Sequence, residues 1–192
     1  LFSVNLSAQE FTDGYISSVV SYQKVVAPGD SMPIAIKIIK NDIAGFAKFK
    51  FATPQQIQIV SPDFVNASAT IKDSVLEIIW VEIPYDKEFI IDFSVVIPKE
   101  MPNGERTMSG SFYYLIDKDV KVMKFDNLTF NISDDRTIVK KSESEFRSAN
   151  IVRKKLNEQV LVSKTEHPEP QPEDSAKLPN NGPTQVLNNL NE

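Results

Sequence analysis

Between Tyr15 and Ile132 the chain consists of short runs rich in β-branched and aromatic residues, cut by Pro, Gly, Asn and Asp. The breaks recur about every 8 to 12 residues, and no pattern of helical length separates any two runs. Parallel β-α-β units need a crossover helix between strands, so they are excluded. What remains is an all-β sandwich or barrel in which each alternating run buries one face.

Individual runs support this. Tyr15 to Val26 ends at Ala27-Pro28-Gly29-Asp30, a turn signal, and Ile34, Ile36 and Ile38 then alternate with Ala35 and Lys37. In Gly45 to Ala52, residues Ala47, Phe49 and Phe51 point one way and Phe46, Lys48 and Lys50 the other. Ile57 and Ile59 start a further strand that stops at Ser61-Pro62-Asp63. Phe64 to Ile71 and Val75 to Ile83 read as a hairpin across Lys72-Asp73-Ser74. The succession Ile78-Ile79-Trp80 predicts a central strand covered on both faces. Phe89 to Ile97 alternates again, and Gly110 to Ile116 with Val120 to Ile132 predicts a hairpin across Asp117-Lys118-Asp119. The fold class expected is an Ig-like antiparallel β-sandwich over residues 15–135, with Greek-key links.

Beyond Asp134-Asp135 the pattern changes. Ser142-Glu143-Ser144-Glu145 matches a capping box. Phe146, Ala149, Val152, Leu156 and Val160 follow at helical spacing, which predicts one C-terminal amphipathic helix over 142–162. Its apolar stripe either docks back on the sandwich or presents a face to another protein. Residues 163–192 hold His167-Pro168-Glu169-Pro170-Gln171-Pro172, Pro179 and Pro183. Such a stretch buries too little apolar surface to offset its ordering entropy, so a flexible, disordered Pro-rich tail is expected, carrying a last apolar cluster at Val186, Leu187 and Leu190.

Composition narrows function by exclusion. A net charge of −5 disfavours binding to phosphate backbones, which needs clustered Lys and Arg. No run of about 18 apolar residues occurs, so no helical membrane span is expected. With no Cys, disulfides, thiolate metal sites and cysteine nucleophiles are absent. At the start, Leu1 to Glu10 passes from apolar through small to polar residues, and residues 1–14 read as a signal-peptide remnant, with cleavage near Ala8 or Gln9, plus a lead-in; a short strand is the other reading.

Catalytic equipment is hard to find. The only histidine, His167, lies in the Pro-rich tail, and no Gly-x-Ser-x-Gly elbow occurs. The acidic pairs Asp117 with Asp119 and Asp134 with Asp135 lack EF-hand spacing and read as turn residues. No catalytic, cofactor or metal site is expected. Trp80 and Phe112-Tyr113-Tyr114 either fill the core or stack on sugar rings.

The order Gly45-Phe46-Ala47-Lys48-Phe49, Ile79-Trp80-Val81-Glu82-Ile83-Pro84, Glu88-Phe89-Ile90-Ile91-Asp92-Phe93 and Gly110-Ser111-Phe112-Tyr113-Tyr114 resembles an uncharacterised secreted β-sandwich module of Bacteroidota cell-envelope proteins. The resemblance covers about residues 15 to 132. It implies an extracytoplasmic, non-enzymatic structural or adaptor subunit of an envelope assembly, such as a secretion or motility apparatus. The protein partners of such an assembly would be met through Phe146, Val152, Leu156, Val186, Leu187 and Leu190; the alternative is a carbohydrate- or peptidoglycan-binding module. Asp30-Ser31-Met32, Asp73-Ser74-Val75 and Asp174-Ser175-Ala176 resemble the O-glycosylation triplet of that group, making Ser31, Ser74 and Ser175 candidate sites. Asn66-Ala67-Ser68, Asn127-Leu128-Thr129 and Asn131-Ile132-Ser133 match N-glycosylation sequons, a pattern frequent by chance.

Overall fold

Strict alternation of large apolar with polar side chains gives each strand one inward face, and two such faces close on each other. The computed structural model describes residues 8–60, 64 and 66–148. Its first sheet contains β1 (Ala8–Thr12), β2 (Ser17–Tyr22), β4 (Ser31–Ile39), β6 (Gln58–Val60) and β9 (Glu88–Val96). They lie in the order β1-β2-β4-β9-β6. The second contains β3 (Val25–Val26), β5 (Ala47–Ala52), β7 (Ala67–Lys72), β8 (Val75–Trp80), β10 (Gly104–Ile116) and β11 (Asp119–Ile132), in the order β3-β11-β10-β5-β8-β7. Every pairing is antiparallel except the short β3–β11 ladder. The fold is an Ig-like β-sandwich with one C-terminal helix.

Between the sheets lies one aromatic-rich core. Phe49 of β5 stacks near Phe51, Phe93 and Phe125, and Phe51 meets Phe93 edge-on at 4.9 Å. Ile34, Ile36 and Ile38 of β4 and Ile91, Phe93 and Val95 of β9 supply the opposing layer. Tyr22 bridges the layers, its hydroxyl donating to the Thr129 carbonyl at 3.1 Å.

Both expected hairpins turn on two residues with positive φ, Asp73 and Ser74 in one and Asp117 and Lys118 in the other. This handedness matches the strand twist. Gly110 sits opposite both Phe51 and Phe125, beside an irregularity between Met108 and Gly110.

The structure corrects several expectations. Ala8–Thr12 is a strand, not a lead-in: it pairs residue by residue with β2, and its Phe11 packs edge-on against Phe125 at 5.3 Å. Residues 1–7 lie outside the described residues. The run Tyr15 to Val26 splits, because the chain leaves the first sheet after Tyr22 and enters the second at Val25. β8 is next to the edge and buries only alternate residues, so Ile79 faces outward rather than into a second packed layer.

Helix α1 occupies residues 136–148 and thus begins before Ser142. Asp135 is its cap: its Oδ1 accepts from the Thr137 N–H at 2.9 Å. The Ser142 hydroxyl accepts instead from the Val25 N–H at 2.9 Å, a tertiary bond that takes it out of any capping role. The remainder of the expected helix, and the expected tail, lie outside the described residues.

Candidate interaction surfaces

At one end of the sandwich, the β4–β5 connection (residues 40–46) and the β8–β9 connection (residues 81–87) frame a cleft of about 960 Å³. Two backbone bonds tie the connections together, Lys40 N–H to Lys87 O and Ile83 N–H to Gly45 O, both 2.9 Å. Lys40 is 2% exposed, and its ammonium donates to the Ile43 carbonyl at 2.7 Å. Burial pulls its pKa below the ordinary lysine range, while the Asp42 and Asp86 carboxylates pull the other way. A buried cation beneath the loop braces it. The lining is mixed: Tyr85 and Val81 stand almost free in solvent beside Asp42, Glu82, Asp86 and Lys87.

At the opposite end, α1 is fixed to the sandwich. Its inward residues Val139, Ser142 and Phe146 recur at the three- and four-residue spacing of one helical face. Arg136 pairs with Asp30 at 2.7 Å and Asn103 donates to Asp134 at 2.9 Å, holding the helix start to the strand ends. Beneath it lies a second cleft of about 490 Å³, reached by Gln23, Ser31, Val139 and Phe146.

The sequence-predicted residues fall as follows. Phe146, expected on a partner-binding face, is 7% exposed; it lies on the same inward helix face as Val139 and Ser142 and covers its own domain. Val152, Leu156, Val186, Leu187, Leu190 and Ser175 lie outside the described residues, as does His167. Ser31 is exposed but opens strand β4 opposite Val96 rather than sitting in a turn. Ser74 is half-buried in the β7–β8 turn, where its carbonyl accepts from the Thr53 N–H at 3.0 Å. Trp80 is 2% exposed and packs on Phe89 and Phe112, so it is no sugar platform. The acids act on the protein itself: Asp135 caps α1, and Asp13 receives the Tyr114 hydroxyl. Among the described residues no group of three His, Cys, Asp or Glu could hold a metal ion, and no helix is long and apolar enough to cross a membrane.

One surface went unread in the sequence, the outer face of the second sheet. There Phe46, Val81, Val120 and Val122 are exposed, although each taken singly reads as ordinary strand composition. Their sequence signal is shared parity: Val120 and Val122 stand out of phase with the buried residues of β11, and Phe46 and Val81 with those of β5 and β8, whose ends they adjoin.

Neither the family models nor the curated proteins contain a match. Solved structures do resemble the fold. The collagen-binding subdomain of the Enterococcus faecalis surface protein ACE is 12% identical, with a TM-score of 0.37, covering 59% of this chain and 96% of that one. A non-cellulosomal cohesin from Archaeoglobus fulgidus is 11% identical, with a TM-score of 0.41, covering 62% and 94%. A DUF4466 family protein from Parabacteroides merdae is 11% identical, with a TM-score of 0.39, covering 62% of this chain; the chain spans 44% of that protein.

Proposed function

We propose that the chain is a non-enzymatic structural or adaptor subunit of a bacterial cell-envelope assembly, placed outside the cytoplasm, that binds a protein partner. A secretion or motility apparatus is the finer setting, carried by the resemblance of residues 15–132 to envelope modules. The observation that carries the reading is the anchoring of α1. Its cap, its ion pair and the Ser142 bond fix its position on a rigid body. Residues 149–192 therefore start from a set place, as an adaptor requires. Since Phe146 is spent on the domain itself, the partner contacts fall to Val152, Leu156, Val186, Leu187 and Leu190. Ser31, Ser74 and Ser175 are the positions proposed for O-linked glycan; mass spectrometry of the native protein tests them, and unmodified peptides at all three would remove that assignment.

The test of function is co-purification from the native envelope with the full chain and with a chain ending at Ser148. Loss of partners from the shorter chain is the expected result. Retention of every partner would refute the role given to residues 149–192.

A further inference from the structure

We infer that the outer face of the second sheet docks a polypeptide that presents apolar side chains beside carboxylates; this rests on the reading of the chain as a protein-binding module. Val122, Tyr113, Lys48 and Ile79 stand side by side across β11, β10, β5 and β8. Two residues further come Val120 within β11 and, just beyond the ends of β5 and β8, Phe46 and Val81, which adjoin the inward pair Ala47 and Trp80; Val81 also lines the end cleft. Val81 is 84% exposed, Val120 65% and Phe46 42%. Large aliphatic and aromatic groups thus share one side of β11, β10 and β8, continued at the strand ends by Phe46 and Val81, and contiguous apolar area of this kind marks contact surfaces.

Charge identifies what covers it. The bordering row holds Lys124, Ser111, Lys50 and Glu77. Glu77 neutralises Lys50 at 2.9 Å. Lys48 is held over the Tyr113 ring, 5.1 Å from its centre, and Lys124 is exposed; among the described residues neither pairs with a carboxylate. Asp126 follows two residues after Lys124, beyond the apolar rows. Two ammonium groups without a carboxylate partner among the described residues, Lys48 within the apolar band and Lys124 on its border, therefore mark this face in a chain whose net charge is −5. A second copy packed face to face would bring these lysines against their own kind, at a cost. A partner with carboxylates gains at both, and Lys48 is already positioned for it.

The test uses the immobilised full chain and a display library of random peptides, with the variants V81D/V122D and K48E/K124E. All four positions lie outside the core, so thermal midpoints close to that of the parent chain confirm folding. Enriched peptides are expected to carry Asp or Glu beside apolar residues, to bind V81D/V122D at least about tenfold more weakly, and to give way to Lys- and Arg-bearing peptides on K48E/K124E. Peptides without acidic bias, or indifferent to both variants, would overturn the assignment. So would a sedimentation mass of two copies that V81D/V122D returns to one, which makes the occupant a second chain. Native co-purification separates the two readings: partners kept by V81D/V122D discard the face alone, whereas an unmodified chain that retains no partner discards the binding reading beneath it.

Discussion

The Tyr114 hydroxyl donates to Asp13 Oδ2 at 2.6 Å, joining the C-terminal end of β10 to the β1–β2 turn 101 positions away. The other carboxylate oxygen of Asp13 accepts from the Tyr15 and Ile16 N–H groups, both at 3.1 Å, so one side chain shapes the turn and pins it to the opposite sheet. Tyr114→Phe removes a side-chain hydrogen bond to a carboxyl acceptor at a part-buried site and is expected to cost about 1–3 kcal/mol. Asp13→Ala loses the turn bonds as well and should cost at least as much. Urea unfolding of the two variants checks the order; a Tyr114→Phe protein as stable as its parent would show that the bond contributes nothing.

A contrast between two contacts of α1 follows from burial. Ser142→Ala removes a buried hydroxyl and leaves the half-buried Val25 N–H without its acceptor, at an expected cost of about 1–3 kcal/mol. Arg136→Ala breaks only an exposed ion pair with Asp30, worth about 0–1 kcal/mol. Thermal midpoints should therefore fall clearly for the first and little for the second. The reverse order would mean that charge, not the Ser142 bond, holds the helix.

Gly110 has room for a hydrogen and nothing larger. A Cβ there would lie 3.0 Å from the Lys50 carbonyl, 3.0 Å from the Phe51 ring and 3.1 Å from the Phe125 ring. Gly110→Ala forces backbone or two packed rings to move, and overpacking of this kind costs about 1–3 kcal/mol. Chemical denaturation measures it, with Ser109→Ala, on the outward side of the same strand, expected near zero.

Burial raises the Tyr22 phenol from its ordinary 10.0 to about 12. Between these values the native state keeps a proton that the unfolded chain has lost. Its contribution to stability is thus complete below pH 10 and disappears as pH rises toward about 12. Lys24, whose ammonium donates to the Tyr22 hydroxyl at 2.6 Å, is pulled below its usual range by burial and contributes with the opposite sign, stability rising with pH as the unfolded chain gives up its proton. Tyr114 is raised like Tyr22, so the alkaline loss of stability should be reduced but not abolished in Tyr22→Phe. Stability measured across that range checks it; identical slopes in parent and variant would contradict the shift.

What was legible depended on how local the cause is. Alternation at Ala47, Phe49 and Phe51 and at Ile91, Phe93 and Val95 is a two-residue period, readable from neighbours alone, and those strands appear where expected. β3 is two residues long and exists only because Val25 and Val26 meet Asn131 and Ile132, a pairing no local pattern announces. The capping-box pattern is local and puts the helix start at Ser142, with Asp135 a turn residue; the Val25 N–H, distant in sequence, takes the Ser142 hydroxyl, and Asp135 caps the helix instead. Ile78-Ile79-Trp80 looked doubly buried because a run of apolar residues does not say whether a second layer covers Ile79. Among the described residues none does, and the part of the outward band formed by Ile79, Val81, Val120 and Val122 was hidden for the same reason, although alternation had already turned Phe46 and Lys48 outward.

The central claim is that α1 and the sandwich form one cooperative body that positions every surface described above. Amide hydrogen exchange of the full chain tests it most directly, read at Val25 and across residues 136–148 in the parent and in Ser142→Ala. Slow exchange is expected at both places in the parent, and faster exchange at both in the variant. Exchange across 136–148 at the rate of a free peptide, with Val25 still protected, would contradict it.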